Sequence, residues 1–199
     1  MPSRRAIDAI RSEPLVAGAA AGATIGFVAY GFAIGADLAP LYAITVGLLF
    51  WLVAAIHART PLSRLALWCL LAWGVAHLAA GIVPLEGERI LYNGRFEFPP
   101  FQVDRLIHAF GFGTTTLVSW EVLKQRFPSI EMTKTTAVIV WLAGLGVGAI
   151  NEAFEFLATR IADTNVGGFE NTGWDLIANL TGCTLVALTL FLRHHPRHP

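Results

Sequence analysis

The chain has 199 residues, of which 55% are hydrophobic and only 14% charged. Soluble domains carry about a quarter charged residues, so this composition, with a mean hydropathy of +0.58, excludes an ordinary soluble domain. Lys plus Arg, 14, balances Asp plus Glu, 14, and no basic stripe tracks along the sequence, which speaks against nucleic-acid binding.

Arg4 and Arg5 stand ahead of a first apolar stretch, Leu15 to Ala36. That stretch is longer than the roughly 7–15 residues of a signal-peptide core, so it reads as a retained span. Residues 1–14 read as an N-terminal cytoplasmic segment in which Ala6, Ile7, Ala9 and Ile10 form a short amphipathic piece lying at the membrane interface. A membrane span needs about 20 apolar residues. Five further segments approach this: Leu41 to Ile56, Leu65 to Val83, Asp104 to Leu123, Thr136 to Thr159 and Trp174 to Leu192. Pro40, Pro61, Pro84 and Pro99-Pro100 punctuate the connections, where a helix cannot continue. The expected architecture is all-α: a polytopic bundle of about six transmembrane helices over residues 15–192, with a cytoplasmic tail at 193–199.

Orientation follows from the basic residues. Arg4, Arg5, Arg11, Arg59, Arg64, Lys124, Arg126, Lys134, Arg193 and Arg197 fall on one side, and Arg89, Arg95, Arg105 and Arg160 on the other. Both termini are therefore expected in the cytoplasm. Trp51, Trp68, Trp120 and Trp174 lie toward span ends, as interface anchors do. Gly18, Gly22 and Gly26 in the first span, and Gly144 and Gly148 in the fifth, recur at four-residue spacing and read as packing faces. Cys69 and Cys183 lie in apolar runs, with no spacing that implies a disulfide framework or a thiolate metal site.

The polar residues within the spans are the informative ones. A charged side chain at mid-bilayer costs roughly 2.5–3.5 kcal/mol on insertion scales, so such residues need a partner, water or a metal. They are His77 on the third span, Asp104 and His108 on the fourth, Asn151, Glu152 and Glu155 on the fifth, and Asp175 and Asn179 on the sixth. Alternating span direction places all of them in the outer half of the membrane. The inner halves carry hydroxyls such as Thr114, Thr115, Thr116, Thr184 and Thr189, which can bond their own helix.

Each residue also has a plainer reading. Asp104 and Asp175 sit where an acid can cap a helix N-terminus, His77 can be a hydrogen-bonded packing residue, and Asn151 and Asn179 can join helices. Glu152 and Glu155 resist this, because two acids within one turn in lipid cannot both ionise cheaply without a cation. Two chemistries fit. Facing helices can hold one divalent metal through His108, Glu152, Glu155 and Asp175. With N and O donors alone, the ion would be Zn, Mn or Fe, and its bound water a nucleophile. Alternatively the acids and His108 share protons as an acid/base site. The loop Asp163 to Gly168 looks like the start of a calcium loop but lacks its ligands, with Gly167 and Trp174 where donors belong.

The run Asp104-Arg105-Leu106-Ile107-His108, then Glu152-x-x-Glu155, then Asp175-x-x-x-Asn179-x-x-Gly182 resembles VanZ-like membrane proteins, and more closely the YjdF-type bacterial inner-membrane proteins. The likeness covers the last three spans. Glu155 is the YjdF-type choice and Asn179 the VanZ-like one, while Gly168 and Asn171 stand where YjdF-type loops carry acids. The resemblance implies a protein of the bacterial cytoplasmic membrane and, for VanZ-like members, a link to glycopeptide resistance and the cell envelope.

Three functions are consistent with these residues. In the leading one, Asp104, His108, Glu152, Glu155 and Asp175 serve as metal ligands or acid/base groups, oriented by Asn179, and act on or bind a membrane lipid or lipid-linked envelope substrate. The second is an ion- or proton-coupled transporter, which would need a path from both sides and usually internal repeats. The third is a structural protein whose polar cluster locks helix packing.

Overall fold

The computed structural model describes residues 2–36, 38–86, 89–95, 102–161 and 168–194. Its contacts divide into two compact units, Met1–Val103 and Asp104–Pro199.

The first unit holds α1 (Pro2–Ser12), α2 (Pro14–Ala33), α3 (Ala39–His57) and α4 (Arg64–Ile82). Pro14 and Pro40 start α2 and α3 within their first turns, where the missing N–H costs nothing. Helix α2 ends on Gly35, at φ 69°. Gly35 N–H donates to Phe32 O at 3.2 Å and Ala36 N–H to Gly31 O at 2.8 Å. This double closure satisfies the last carbonyls and requires a residue at ease in the left-handed region. Ser63 caps α4 by accepting a hydrogen bond from Ala66 N–H at 3.1 Å. Ser63→Ala is expected to cost about 1 kcal/mol, read as a lowered unfolding midpoint in a fixed detergent.

Val46, Leu78 and Ile82 form this unit's buried core, with Phe27, Tyr42 and Phe50 packed around them. After α4 the chain makes a feature the hydropathy did not announce. Strands β1 (Pro84–Leu85) and β2 (Arg89–Ile90) pair antiparallel, and a 3-10 turn, Leu91–Asn93, follows. The turn brings Tyr92 under α4, where its hydroxyl and His77 Nδ1 are hydrogen-bonded. His77 also packs at a tilt against Trp73, with ring centroids 5.4 Å apart. Its contacts are those of a packing residue within its own unit.

The second unit is built from α5 (Val103–Arg126, all but its first residue), α6 (Lys134–Ala158) and α7 (Phe169–His194). Thr133 caps α6 by accepting from Thr136 N–H at 3.1 Å. Trp120, Met132, Val140 and Leu190 form a buried core at one end. Trp120 is only 7% exposed and packs its ring against His194. The expectation that it anchors an interface is therefore corrected, whereas Trp51, Trp68 and Trp174 are exposed.

Among the described residues, α2, α3, α4, α6 and α7 are long and apolar enough to cross a membrane. Helix α5 matches the remaining expected span in length, with 24 residues. Its charges gather at its ends, Asp104 and Arg105 at one and Glu121, Lys124 and Arg126 at the other. The all-α polytopic class therefore holds.

The two glycine stripes part company. A methyl group added at Gly144 would lie 2.1 Å from Thr116 Oγ1, and one at Gly148 would lie 2.8 Å from Asn179 Nδ2. Both are contact points between helices. At Gly18, Gly22 and Gly26 nothing stands within 4 Å among the described residues. The packing role expected of that first stripe is corrected, since it faces outward.

Candidate functional site

Three helices of the second unit each turn a polar face to one place. On α5, Asp104 and His108 are four residues apart and so share a face. His108 Nε2 lies 3.5 Å from Asp104 Oδ1. On α6, Glu152 and Glu155 project to the same side, and Asn151 Nδ2 donates to Glu155 Oε1 at 2.7 Å. On α7, Asn171, Asp175 and Asn179 follow at four-residue spacing.

His108 is the hub. Its Nδ1 lies 3.4 Å from Glu152 Oε1 and 3.3 Å from Asn179 Oδ1, and its Nε2 lies 3.8 Å from Glu155 Oε1. Phe112, one turn on, sets the apolar side of the ring, with centroids 5.7 Å apart. One ligand atom each from His108, Glu152, Glu155 and Asp175 fall within 4.8 Å of one another. Four tetrahedral ligands bound at about 2.1 Å stand about 3.4 Å from one another, so the cluster would draw in by more than about 1 Å to close on an ion.

The small residues on the three helices explain why the faces can meet. Gly148, one turn before Glu152, leaves room for the Asn179 amide. A methyl at Gly182 would lie 1.8 Å from Ala109 O, so α7 and α5 touch backbone to backbone there. Cys183 Sγ donates to Phe112 O at 3.3 Å beside that contact, a structural thiol rather than a ligand.

Burial without hydrogen bonds marks the cluster. Glu152 is 5% exposed and Asp175 and Asn179 are each 1% exposed. Glu152 Oε2, Asp175 Oδ1 and Asn179 Nδ2 have no hydrogen-bond partner among the described residues, and Glu152 Oε1 and Asp104 Oδ1 have only the long contacts to His108. Each such atom costs on the order of 1–3 kcal/mol, more where charge is carried. Asp104, Glu152, Glu155 and Asp175 together bring four carboxylates against one imidazole.

The six residues Asp104, His108, Glu152, Glu155, Asp175 and Asn179 are thus brought to one place. Sequence reading placed Asn171 in the loop before the last span and outside the site, whereas it donates to Asp104 Oδ2 at 3.1 Å and to Asp175 Oδ2. The available signal was its four-residue spacing from Asp175. Helix α7 starts at Phe169, earlier than expected, so Asp175 lies inside the helix and its reading as an N-terminal cap is corrected. Residues 163–167 of the calcium-like loop lie outside the described residues.

A sequence profile of predicted membrane proteins, DUF2238, matches residues 15–196, nearly the whole chain. The chain belongs to the DUF2238 family. The match spans all of α5 to α7, so the cluster lies within the family's own domain. With its apolar helices, this DUF2238 protein is an integral membrane protein. No curated protein and no solved structure matches the chain.

Proposed function

We propose that this DUF2238 protein holds one divalent metal ion, Zn, Mn or Fe, between α5, α6 and α7, and that the ion acts on a membrane lipid or lipid-linked envelope substrate. The observation that carries the reading is the buried convergence of His108, Glu152, Glu155 and Asp175, with ligand atoms within 4.8 Å. Those four supply one imidazole nitrogen and three carboxylate oxygens, a donor set suited to these ions. With Nε2–H given to Asp104, Nδ1, which faces Glu152, is the nitrogen that would take the ion, and Asn171 holds the Asp104 and Asp175 carboxylates in place. A metal-bound water in such a place is a nucleophile at neutral pH, which suits hydrolysis or group transfer at a polar head group.

The bias of Lys and Arg supports a cytoplasmic location for both termini and an opening toward the outer leaflet. The likeness of the Asp104–His108, Glu152–Glu155 and Asp175–Gly182 motifs to VanZ-like and YjdF-type proteins supports a place in the bacterial cytoplasmic membrane and a role in the envelope.

Elemental analysis of the purified protein tests the metal directly. One equivalent of ion per chain is expected in the wild type and less than about a tenth of that in Glu152→Ala. Wild-type protein that remains metal-free after incubation with Zn, Mn and Fe salts would refute the reading.

A further inference from the structure

Beside the carboxylates stands a cation that forms no close ion pair with any of them among the described residues. Arg105 follows Asp104 on α5, and Trp174 precedes Asp175 on α7. The Arg105 guanidinium lies over the Trp174 ring, 4.6 Å from its centroid. It therefore joins the two helices one residue from a carboxylate on each. A guanidinium among so many acids would be expected to pair with one. Among the described residues Arg105 forms no ion pair within 4.0 Å, and its Nε is buried with no hydrogen-bond partner. The cation–π contact holds the guanidinium in place, and its planar fork of N–H donors is the group that takes an oxyanion through two parallel bonds.

We propose that Arg105 is an anion anchor at the edge of the cluster and that it receives a phosphate oxyanion, free or as part of a lipid head group. The inference rests on the metal reading and narrows its substrate class. A carboxylate ligand would spend both oxygens on the fork, whereas a phosphate keeps further oxygens for the neighbouring ion. A cation on one side and a metal on the other also suit a group with more than one negative charge. Trp174, 44% exposed, is the kind of ring that sits at head-group level, so the anchor stands where a phospholipid presents its phosphate.

Calorimetric titration of Zn-loaded protein in detergent tests this with three probes: inorganic phosphate, a short-chain phosphatidic acid, and the diacylglycerol of the same chain length. The phosphate-bearing probes are expected to bind and the diacylglycerol not. Arg105→Gln is expected to weaken phosphate binding at least about tenfold and Arg105→Lys by less, with metal per chain unchanged in both. Tighter binding of phosphatidic acid than of inorganic phosphate assigns the lipid source, and equal binding assigns free phosphate. Equal affinity in wild type and Arg105→Gln, or diacylglycerol bound as well as phosphatidic acid, overturns the anchor and leaves the metal standing. Wild type that takes up no metal yet binds phosphate through Arg105 overturns the metal reading and keeps the anchor.

Discussion

Gly182→Ala is expected to abolish stable folding of the second unit. The added methyl would sit 1.8 Å from the carbonyl oxygen of Ala109 and 2.5 Å from its carbon. Both are main-chain atoms, so no side-chain rotation relieves the clash and α7 must back away from α5. Overpacking a core costs typically about 1–3 kcal/mol even where side chains can yield, and here the loss should reach or exceed the top of that range. The separation would also pull Asn179, one turn earlier, from His108. The measurement is the folded, monodisperse fraction and unfolding midpoint after extraction in one detergent. A triple variant, Gly18→Ala with Gly22→Ala and Gly26→Ala, is the control. Among the described residues nothing lies within 4 Å of a methyl at those positions, and Ala favours a helix over Gly by about 0.5–1 kcal/mol, so the triple variant should melt no lower than wild type. A Gly182→Ala protein that melts with the wild type would contradict the backbone contact.

The second expected result is a reversal of sign. In protein stripped by a chelator, Glu152→Gln should raise the unfolding midpoint, because it removes one of four acids crowded around the imidazole of His108. In protein loaded with Zn the same substitution should lower the midpoint, because a ligand is lost and with it the stabilisation that binding to the folded state alone confers. A ligand present at 100 times its dissociation constant stabilises by about 2.7 kcal/mol, enough to make the crossing plain. The reversal separates a metal centre from a polar lock on helix packing. A lock would be weakened by Glu152→Gln under both conditions, and that pattern would reject the metal reading in favour of the structural one.

Hydropathy made the helices legible because a lipid-facing helix must be apolar along its whole length, and proline marked where each could begin or end. It misplaced the start of α7, whose first turns carry Glu170, Asn171, Thr172 and Gly173. A segment that polar registers as loop until its neighbours are known, and Asn171 was lost with it. The short hairpin after α4 was hidden for the opposite reason, since two paired residues on each side are too few to show a period. The glycine stripes were alike in sequence yet unlike in surroundings, because four-residue spacing describes one helix and says nothing of what faces it. Trp120 misled in the same way. The carboxylates and His108 were legible for an energetic reason: residues that are expensive in lipid have few tolerable positions, so their helices had to bring them together.

The contact between Gly182 and Ala109 has one further consequence. Where two main chains touch, the helices cannot approach further, so the α5–α7 side of the cluster, His108 and Asp175, is held by backbone. Ligand atoms spread over 4.8 Å need no widening for Ca²⁺ at about 2.3–2.6 Å, whereas Zn at about 2.0–2.2 Å would need the α6 carboxylates Glu152 and Glu155 to close in, so the imidazole of His108, a donor Ca²⁺ does not favour, is what would select Zn. Selection would then rest on one nitrogen donor and on the reach of α6, with the touching main chains of α5 and α7 as the immovable side.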